Sequence, residues 1–300
     1  MEIKTFFDKD TYTLTYVVFD DTKEAVVIDS VLDYEPQSST VKTDSIDKVC
    51  QFIAENNLQL RYVLETHAHA DHLSGSQILK ERYPDLLVAI GKNIVEVQKV
   101  FKEVFNLPKD FPTDARQFDH LMEEGKVLKV GNMEIETFYT PGHTPACATY
   151  KIDNVIFTGD ALFMPDMGTG RCDFPGGSAS DLYESITKKL YTLPDDTKVF
   201  VGHDYMPGGR ELRYESTIKE QKENNIQLPG DRSQEEFVKF RQTRDATLSA
   251  PRLLFQSVQV NVDAGNLPQP EDNKVRYLKI PINVFRPASN QTKDVTLEDV

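Results

Sequence analysis

The sequence predicts an α+β fold in which two mixed β-sheets lie back to back with helices on both outer faces. Two observations carry this. Strand and helix patterns alternate in two successive halves, and strands lead each half. Between Phe118 and Phe157 short strand patterns follow one another with no helix between them, which a single alternating βαβ sheet does not allow.

The elements follow in order. Thr11 to Phe19 is rich in β-branched and aromatic residues, and Ala25 to Ile28 is a short apolar strand ending at Asp29. Asp44 to Asn57 carries Ile46, Val49, Cys50 and Ile53 at i, i+3, i+4 and i+7, the stripe of an amphipathic helix. Leu60 to Leu64 reads as a buried strand leading into a histidine-rich turn, then a helix from about Gly75 to Tyr83 that Pro84 stops. Leu86 to Ile90 is a strand, and Ile94, Val97, Gln98 and Phe101 place a helix after it. In the second half strands are expected at Val127 to Val130, Met133 to Tyr139, Ala148 to Ile152 and Val155 to Phe157. A helix over Ser180 to Leu190, a strand at Val199 to Val201 and a charged helix from about Glu211 to Asn224 complete it. Residues 1–230 are expected to form one catalytic domain and 231–300 an extension packed on it. That extension opens with the capping-box pattern Ser233-Gln-Glu-Glu236 before Phe237 and Phe240, carries a strand-like Val275 to Ile280, and is expected to fray over its last dozen residues.

Composition narrows the function classes. Of 300 residues, 34 are Lys or Arg and 48 are Asp or Glu, a formal net charge of −14, so the chain has no general attraction for nucleic acid or for an anionic membrane surface. The N-terminus lacks the apolar core of a signal peptide, and no apolar run is long enough to span a bilayer. Three cysteines, Cys50, Cys147 and Cys172, are an odd number without paired metal spacing and fit a reducing cytoplasm. A cytoplasmic protein acting on a small molecule is the expectation, and a homodimer is compatible with it.

The chemistry is concentrated in histidine. Three of the six fall in Thr66-His-Ala-His-Ala-Asp-His72, where neutral imidazoles and a carboxylate offer what a divalent metal requires. His143 follows the strand ending at Tyr139, Asp160 follows the strand Val155 to Phe157, and His203 follows the strand Val199 to Val201. Each stands after a glycine, which frees the backbone to swing the side chain toward a common centre. Strand ends on one sheet edge can meet in space although they are far apart in sequence. His120 lies outside the pattern and reads as an ordinary structural histidine.

Thr-His-x-His-x-Asp-His, then Gly-His-Thr, Gly-Asp and Gly-His-Asp in that order, resembles the metallo-β-lactamase superfamily over residues 1 to about 225. The resemblance implies an αβ/βα sandwich with metal at one sheet edge. In hydrolases such as glyoxalase II it implies two zinc or mixed metal ions, His67, His69 and His143 on one and Asp71, His72 and His203 on the other, with Asp160 shared, acting on a thioester. In the persulfide dioxygenase branch it implies one Fe(II) per chain on His67, His143 and Asp160. Asp71, His69, His72 and His203 then orient the ligands and polarise water, with Asp71 part of the catalytic set.

The segment after Asp160 resembles the dioxygenase branch more than the hydrolases. Gly170-Arg-Cys-Asp-Phe174 is similar to its Gly-Arg-x-Asp-Phe pattern, and Gly202-His-Asp-Tyr205 to its His-Asp-Tyr. The C-terminal stretches around Val262 and Tyr277 resemble those of bacterial β-lactamase-like proteins associated with sulfide detoxification. The expected reaction is oxidation of glutathione persulfide by O₂ to sulfite and glutathione, with Arg171 meeting a glutathione carboxylate and Tyr205 touching substrate or a ligand. Asp29 is expected to fix the loop beneath the site, Cys172 to take no part in turnover, and Met164 and Met167 to pack. A glyoxalase II-like hydrolase is the alternative enzyme. A non-catalytic metal sensor is the alternative of another class.

Overall fold

The computed structural model describes residues 1–282 and 284. The first half begins with β1 (Glu2–Phe7), β2 (Leu14–Phe19) and β3 (Glu24–Ile28), an antiparallel meander. A small side sheet follows from β4 (Val31–Glu35) and β5 (Thr40–Lys42), and then α1 (Asp44–Glu55). The chain continues through β6 (Gln59–Glu65), β7 (Leu73–Ser74), α2 (Ser76–Arg82), β8 (Leu87–Gly91), α3 (Ile94–Val104) and β9 (His120–Met122). The first main sheet has the order β1-β2-β3-β6-β8-β9, parallel from β3 onward, and β7 joins β4 in the side sheet.

The second half supplies β10 (Val127–Val130), β11 (Met133–Tyr139), β12 (Ala148–Ile152), β13 (Val155–Phe157), α4 (Ala179–Glu184), β14 (Lys198–Phe200), β15 (Glu215–Thr217) and α5 (Ile218–Asn224). These six strands form the second sheet in sequence order, with β13 and β14 parallel. Two more helices follow, α6 (Gln234–Asp245) and α7 (Leu254–Asn261).

Alternation builds the layers. Tyr16 and Val18 of β2 face the second sheet in one core with Ile135, Tyr150 and Ile156, whereas Val17 and Phe19 face Ile46, Val49 and Ile53 of α1. A third cluster packs Val88 and Ile90 of β8 against Val97 and Phe101 of α3 and against Leu254 and Val258 of α7. Two tyrosines tie the sheets together near their common edge. The Tyr16 hydroxyl donates to the Val201 carbonyl at 2.6 Å, and the Tyr150 hydroxyl donates to the Glu65 carbonyl at 2.7 Å. Burying a tyrosine in this way needs such an acceptor for its O–H.

Met133–Tyr139, Ala148–Ile152 and Val155–Phe157 are strands with the bounds their sequence suggests. The capping box at Ser233 forms, with Glu236 returning the bond. Two expectations are corrected. The expected helix from Glu211 starts only at Ile218, because Leu212, Tyr214 and Ser216 alternate toward the core and Glu215–Thr217 pairs with β14. Val275 to Ile280 is not a strand: Val275, Tyr277 and Ile280 are exposed while Leu278 packs against the core, and its main chain is held at Lys279 by the Gln259 side-chain amide, 2.9 Å in each direction. The expected fraying of the last dozen residues lies outside the described residues. No helix among the described residues is long and apolar enough to cross a membrane.

One carboxyl in this architecture is held against its preference. Burial pushes Asp263, after α7, up to about 6, with a hydrogen bond from Gln117 opposing the shift. A native-state value above the unfolded one means that stability is lost as pH rises from the usual carboxyl range through 6. Asp263→Asn is therefore expected to raise stability at pH 7 by about 1 kcal/mol, a solvent-screened part of the full linkage value. Denaturant melts at pH 7 and at pH 4 check this: the gain should vanish at the lower pH.

Candidate metal centre

Every histidine of the pattern lies where a strand ends on one edge of the sandwich. β6 ends at Glu65 and the next residues are Thr66 to His72; β11, β13 and β14 end at Tyr139, Phe157 and Phe200, ahead of His143, Asp160 and His203. Gly159 has φ +49, and a Cβ there would stand 2.5 Å from the Thr66 hydroxyl oxygen, so glycine alone lets this turn approach the histidine loop. His120 is on β9, edge-on to Tyr62 and apart from the cluster.

Ligand-type atoms of His67, His143 and Asp160 all lie within 4.8 Å of one another, and so do those of His69, Asp71 and His72. His203 Nε2 stands 3.4 Å from both Asp160 Oδ1 and Asp71 Oδ2, between the two groups. All five imidazoles are buried.

Hydrogen bonds on the far side of each ring assign its proton. His143 Nδ1 donates to the Arg171 carbonyl at 2.7 Å, and His203 Nδ1 donates to the Tyr12 carbonyl at 3.2 Å. The Thr66 hydroxyl gives its own proton to Asp29 at 2.8 Å, so it accepts from His67 Nδ1 at 3.0 Å. His72 Nδ1 meets Asp71 at 3.1 Å, whereas His69 uses Nε2 toward Asp29 at 3.0 Å. The lone pairs left over are on Nε2 of His67, His72, His143 and His203 and on Nδ1 of His69. Asp29, itself at φ +52, thus does what its position suggests, holding the Thr66 amide and the His69 ring.

These leftover atoms test whether the residues fit a metal ion. His67 Nε2, His69 Nδ1, His72 Nε2, His203 Nε2 and Asp160 Oδ1 are buried without a hydrogen-bond partner. Each such atom costs about 1–3 kcal/mol when unsatisfied, and five together rival the about 5–15 kcal/mol that holds a domain folded. Convergent imidazole nitrogens and a carboxylate are a donor set for a transition ion, so the residues fit.

Electrostatics points the same way at His67 and Asp71 and the opposite way at His69. Burial, with the neighbouring charges of His69 and His143, holds His67 well below the ordinary histidine range and therefore neutral, the form that can ligate. Burial also opposes charge on His69, yet Asp29 and Glu65 outweigh it and push the ring up. For Asp71 burial acts upward, but His203 and His72 pull it well below the usual carboxylate range, so it stays ionised.

A cavity of about 380 Å³ opens over Asp71, His143 and Asp160, walled by Tyr12, Phe163, Met167 and Tyr205. Tyr205 stacks on His203 at 5.6 Å and meets Phe163 edge-on. Although 39% of the residue is exposed, desolvation, with the charges of Asp160 and Asp71 adding to it, pushes its pKa well up, so it keeps its proton and can donate. Met167 lines the cavity, whereas Met164 lies in the core. Arg171 lines it too, with its fork on Asp173 (2.5 and 2.6 Å) and a further N–H on the Ser249 carbonyl. The Cys172 thiol is buried and pushed up, chiefly by burial, and so remains a thiol.

Residues that sequence reasoning passed over also build the site. Arg241 of α6, 1% exposed, pairs with Asp245 and donates to the Thr169 carbonyl and to Gln227, while Asp245 accepts from the Cys172 amide. The signal was available: Phe237, Arg241 and Asp245 share one helical face, and the last two are an i,i+4 pair of opposite charge. Asn261 of α7 reaches the histidine loop itself.

A two-sheet sandwich carrying this histidine–aspartate cluster on one edge matches the description "Metallo-beta-lactamase superfamily" over residues 9–203, and the chain belongs to that superfamily. Among its relatives is a probable metallo-hydrolase of Burkholderia pseudomallei, 45% identical over 296 residues, covering 95% of this chain and all of the relative. The human mitochondrial persulfide dioxygenase ETHE1 is 32% identical over 266 residues, 88% of each chain. The crystal structure of ETHE1 from Myxococcus xanthus superposes with a TM-score of 0.71 at 32% identity, over 89% of this chain and all of that one. Members of the superfamily are metal-dependent enzymes.

Proposed function

We propose that the chain is an iron-dependent persulfide dioxygenase, in which glutathione persulfide, O₂ and water give glutathione, sulfite and two protons. The observation that carries this reading is where Gly170 to Phe174 lies. A Cβ on Gly170 would stand 2.0 Å from the Asp160 carbonyl oxygen, the Arg171 carbonyl fixes His143, and Phe174 packs on the His143 ring at 6.1 Å. The segment that resembles the dioxygenase pattern is thus wrapped around the His67–His143–Asp160 triad. Asp71, by contrast, is held through its Oδ2 by the Thr13 hydroxyl and His72 Nδ1.

His67, His143 and Asp160 would hold the iron. Two imidazoles and one carboxylate leave coordination positions open, and a ferrous ion there supplies binding for a sulfur anion and for O₂. The chain does the rest. Thr66 and Arg171 keep the Nδ1 protons in place, so the Nε2 lone pairs of His67 and His143 stay directed inward. Tyr12, Phe163 and Met167 give the cavity an apolar wall beside the sulfur, and the Tyr205 hydroxyl donates toward it. The carboxylates of glutathione would meet Arg171 and, in the same cavity wall, the pair Arg244 and Arg252. Neither guanidinium of that pair has an ion pair or hydrogen bond among the described residues.

A specific observation favours a second reading. His72 Nε2 and His203 Nε2 are unpartnered beside an ionised Asp71, which suits a second ion and a glyoxalase II-like hydrolase acting on a thioester. An oxygen electrode separates the two. Protein purified without air and loaded with Fe(II) should consume O₂ on addition of glutathione persulfide, one O₂ per sulfite formed. No O₂ uptake, with hydrolysis of S-lactoylglutathione by the zinc-loaded protein, refutes the dioxygenase.

A further inference from the structure

The histidine loop has no regular structure of its own. β6 stops at Glu65 and β7 starts at Leu73, so beyond Thr66, whose carbonyl accepts from the Ala148 amide, the loop carbonyls lack a sheet ladder and need other partners. Asn261, the last residue of α7 and 4% exposed, serves two of them. Its Nδ2 donates to the carbonyls of His69 and His72, both at 2.8 Å, and its Oδ1 accepts from the Ser74 amide, also at 2.8 Å. Both donors of the amide are spent on two of the three loop histidines whose imidazoles carry unpartnered nitrogens. The helix that presents it is fixed: Leu254, Val258 and Val262 pack with Val88, Ile90 and Phe101, and the side chains of Ser76 and Gln77 donate to the Ala264 carbonyl just beyond.

We propose that Asn261 is a positioning residue for the metal centre, through which α7 sets the backbone of the loop carrying His67, His69 and His72. The proposal rests on the reading of that loop as metal-holding and is indifferent to the reaction performed. Coupling of this kind is reciprocal, so a metal ion bound at the loop tightens α7 in turn.

Cobalt(II) is the probe, titrated into metal-stripped full-length protein with a competing chelator and followed by its visible absorption bands. Asn261→Ala is expected to weaken cobalt binding at least about tenfold and to alter the bands, as the loss of a group that orients ligands does. Asn261→Asp keeps the side-chain volume and the acceptor for Ser74 but loses both donors, and is expected to behave alike; it decides the matter if the alanine variant does not fold. In the wild type, amide exchange over residues 254–261 should slow when cobalt is added. Wild-type affinity and bands in a folded variant, or exchange over 254–261 that ignores cobalt, overturn the proposal. A wild type that takes up no cobalt overturns the metal reading instead.

Discussion

Alanine at position 143 is expected to give a folded chain that has lost both metal and turnover. His143 contributes one of two imidazoles to the triad with Asp160, its Nε2 lying 3.5 Å from Asp160 Oδ2 and its ring 5.1 Å from that of His67. Its structural share is small, one hydrogen bond to the Arg171 carbonyl and a ring contact with Phe174, worth about 1–2 kcal/mol together. Its chemical share is large, because a carboxylate and one imidazole hold a transition ion poorly. Turnover should fall at least about a thousandfold, equivalent to about 4 kcal/mol of the barrier. Metal per chain should fall in parallel, while the thermal midpoint of the metal-stripped protein stays close to wild type. His120→Ala, on β9 and away from the cluster, is the control and should change neither. A His143→Ala protein that retains its metal would contradict the assignment.

Arg241→Ala should produce the largest loss of stability. The guanidinium is buried against the Asp245 carboxylate at 2.6 Å, and removing it strands that charge with the Cys172 amide as its remaining hydrogen bond. It also leaves the Thr169 carbonyl and the Gln227 side-chain oxygen without a donor they now use. Breaking one side of such a pair costs about 3–5 kcal/mol, which for a chain of this size lowers the thermal midpoint by on the order of 10 °C. Replacing both partners, as Arg241→Met with Asp245→Leu, should cost less than the single change, because no charge is left uncompensated. Urea melts of the two variants measure this. Equal destabilisation, or a single variant within about 1 kcal/mol of wild type, would sink the account of α6 as the clamp on the loop after Asp160.

These two positions mark what could and could not be read from the chain. His143, Asp160 and the His67–His72 cluster were legible because ligand chemistry is written in residue type and because each follows an apolar strand pattern. The strands of the second half were legible for the same reason, the alternation of Met133–Tyr139 being set by a core on one side of the sheet. β1 was passed over because an edge strand with Glu2 and Lys4 facing out resembles a polar terminus, and β7 because two residues carry no period. The stretch before Ile218 misled through its charges, which suit a helix, whereas its inward residues keep a period of two. Arg241 and Asn261 were missed on different grounds. Their work is done through hydrogen bonds to carbonyls and amides some 70 and 190 residues away, a pairing that no local pattern encodes.

The claim on which the rest depends is that His67, His143 and Asp160 together hold one transition ion. Crystals grown from protein purified without air, with an anomalous map recorded at the iron edge, test it most directly. The account predicts a single strong peak per chain at coordination distance, about 2.0–2.3 Å, from His67 Nε2, His143 Nε2 and the Asp160 carboxylate. No peak, a peak held only by His69, Asp71 and His72, or two peaks sharing Asp160 would contradict it.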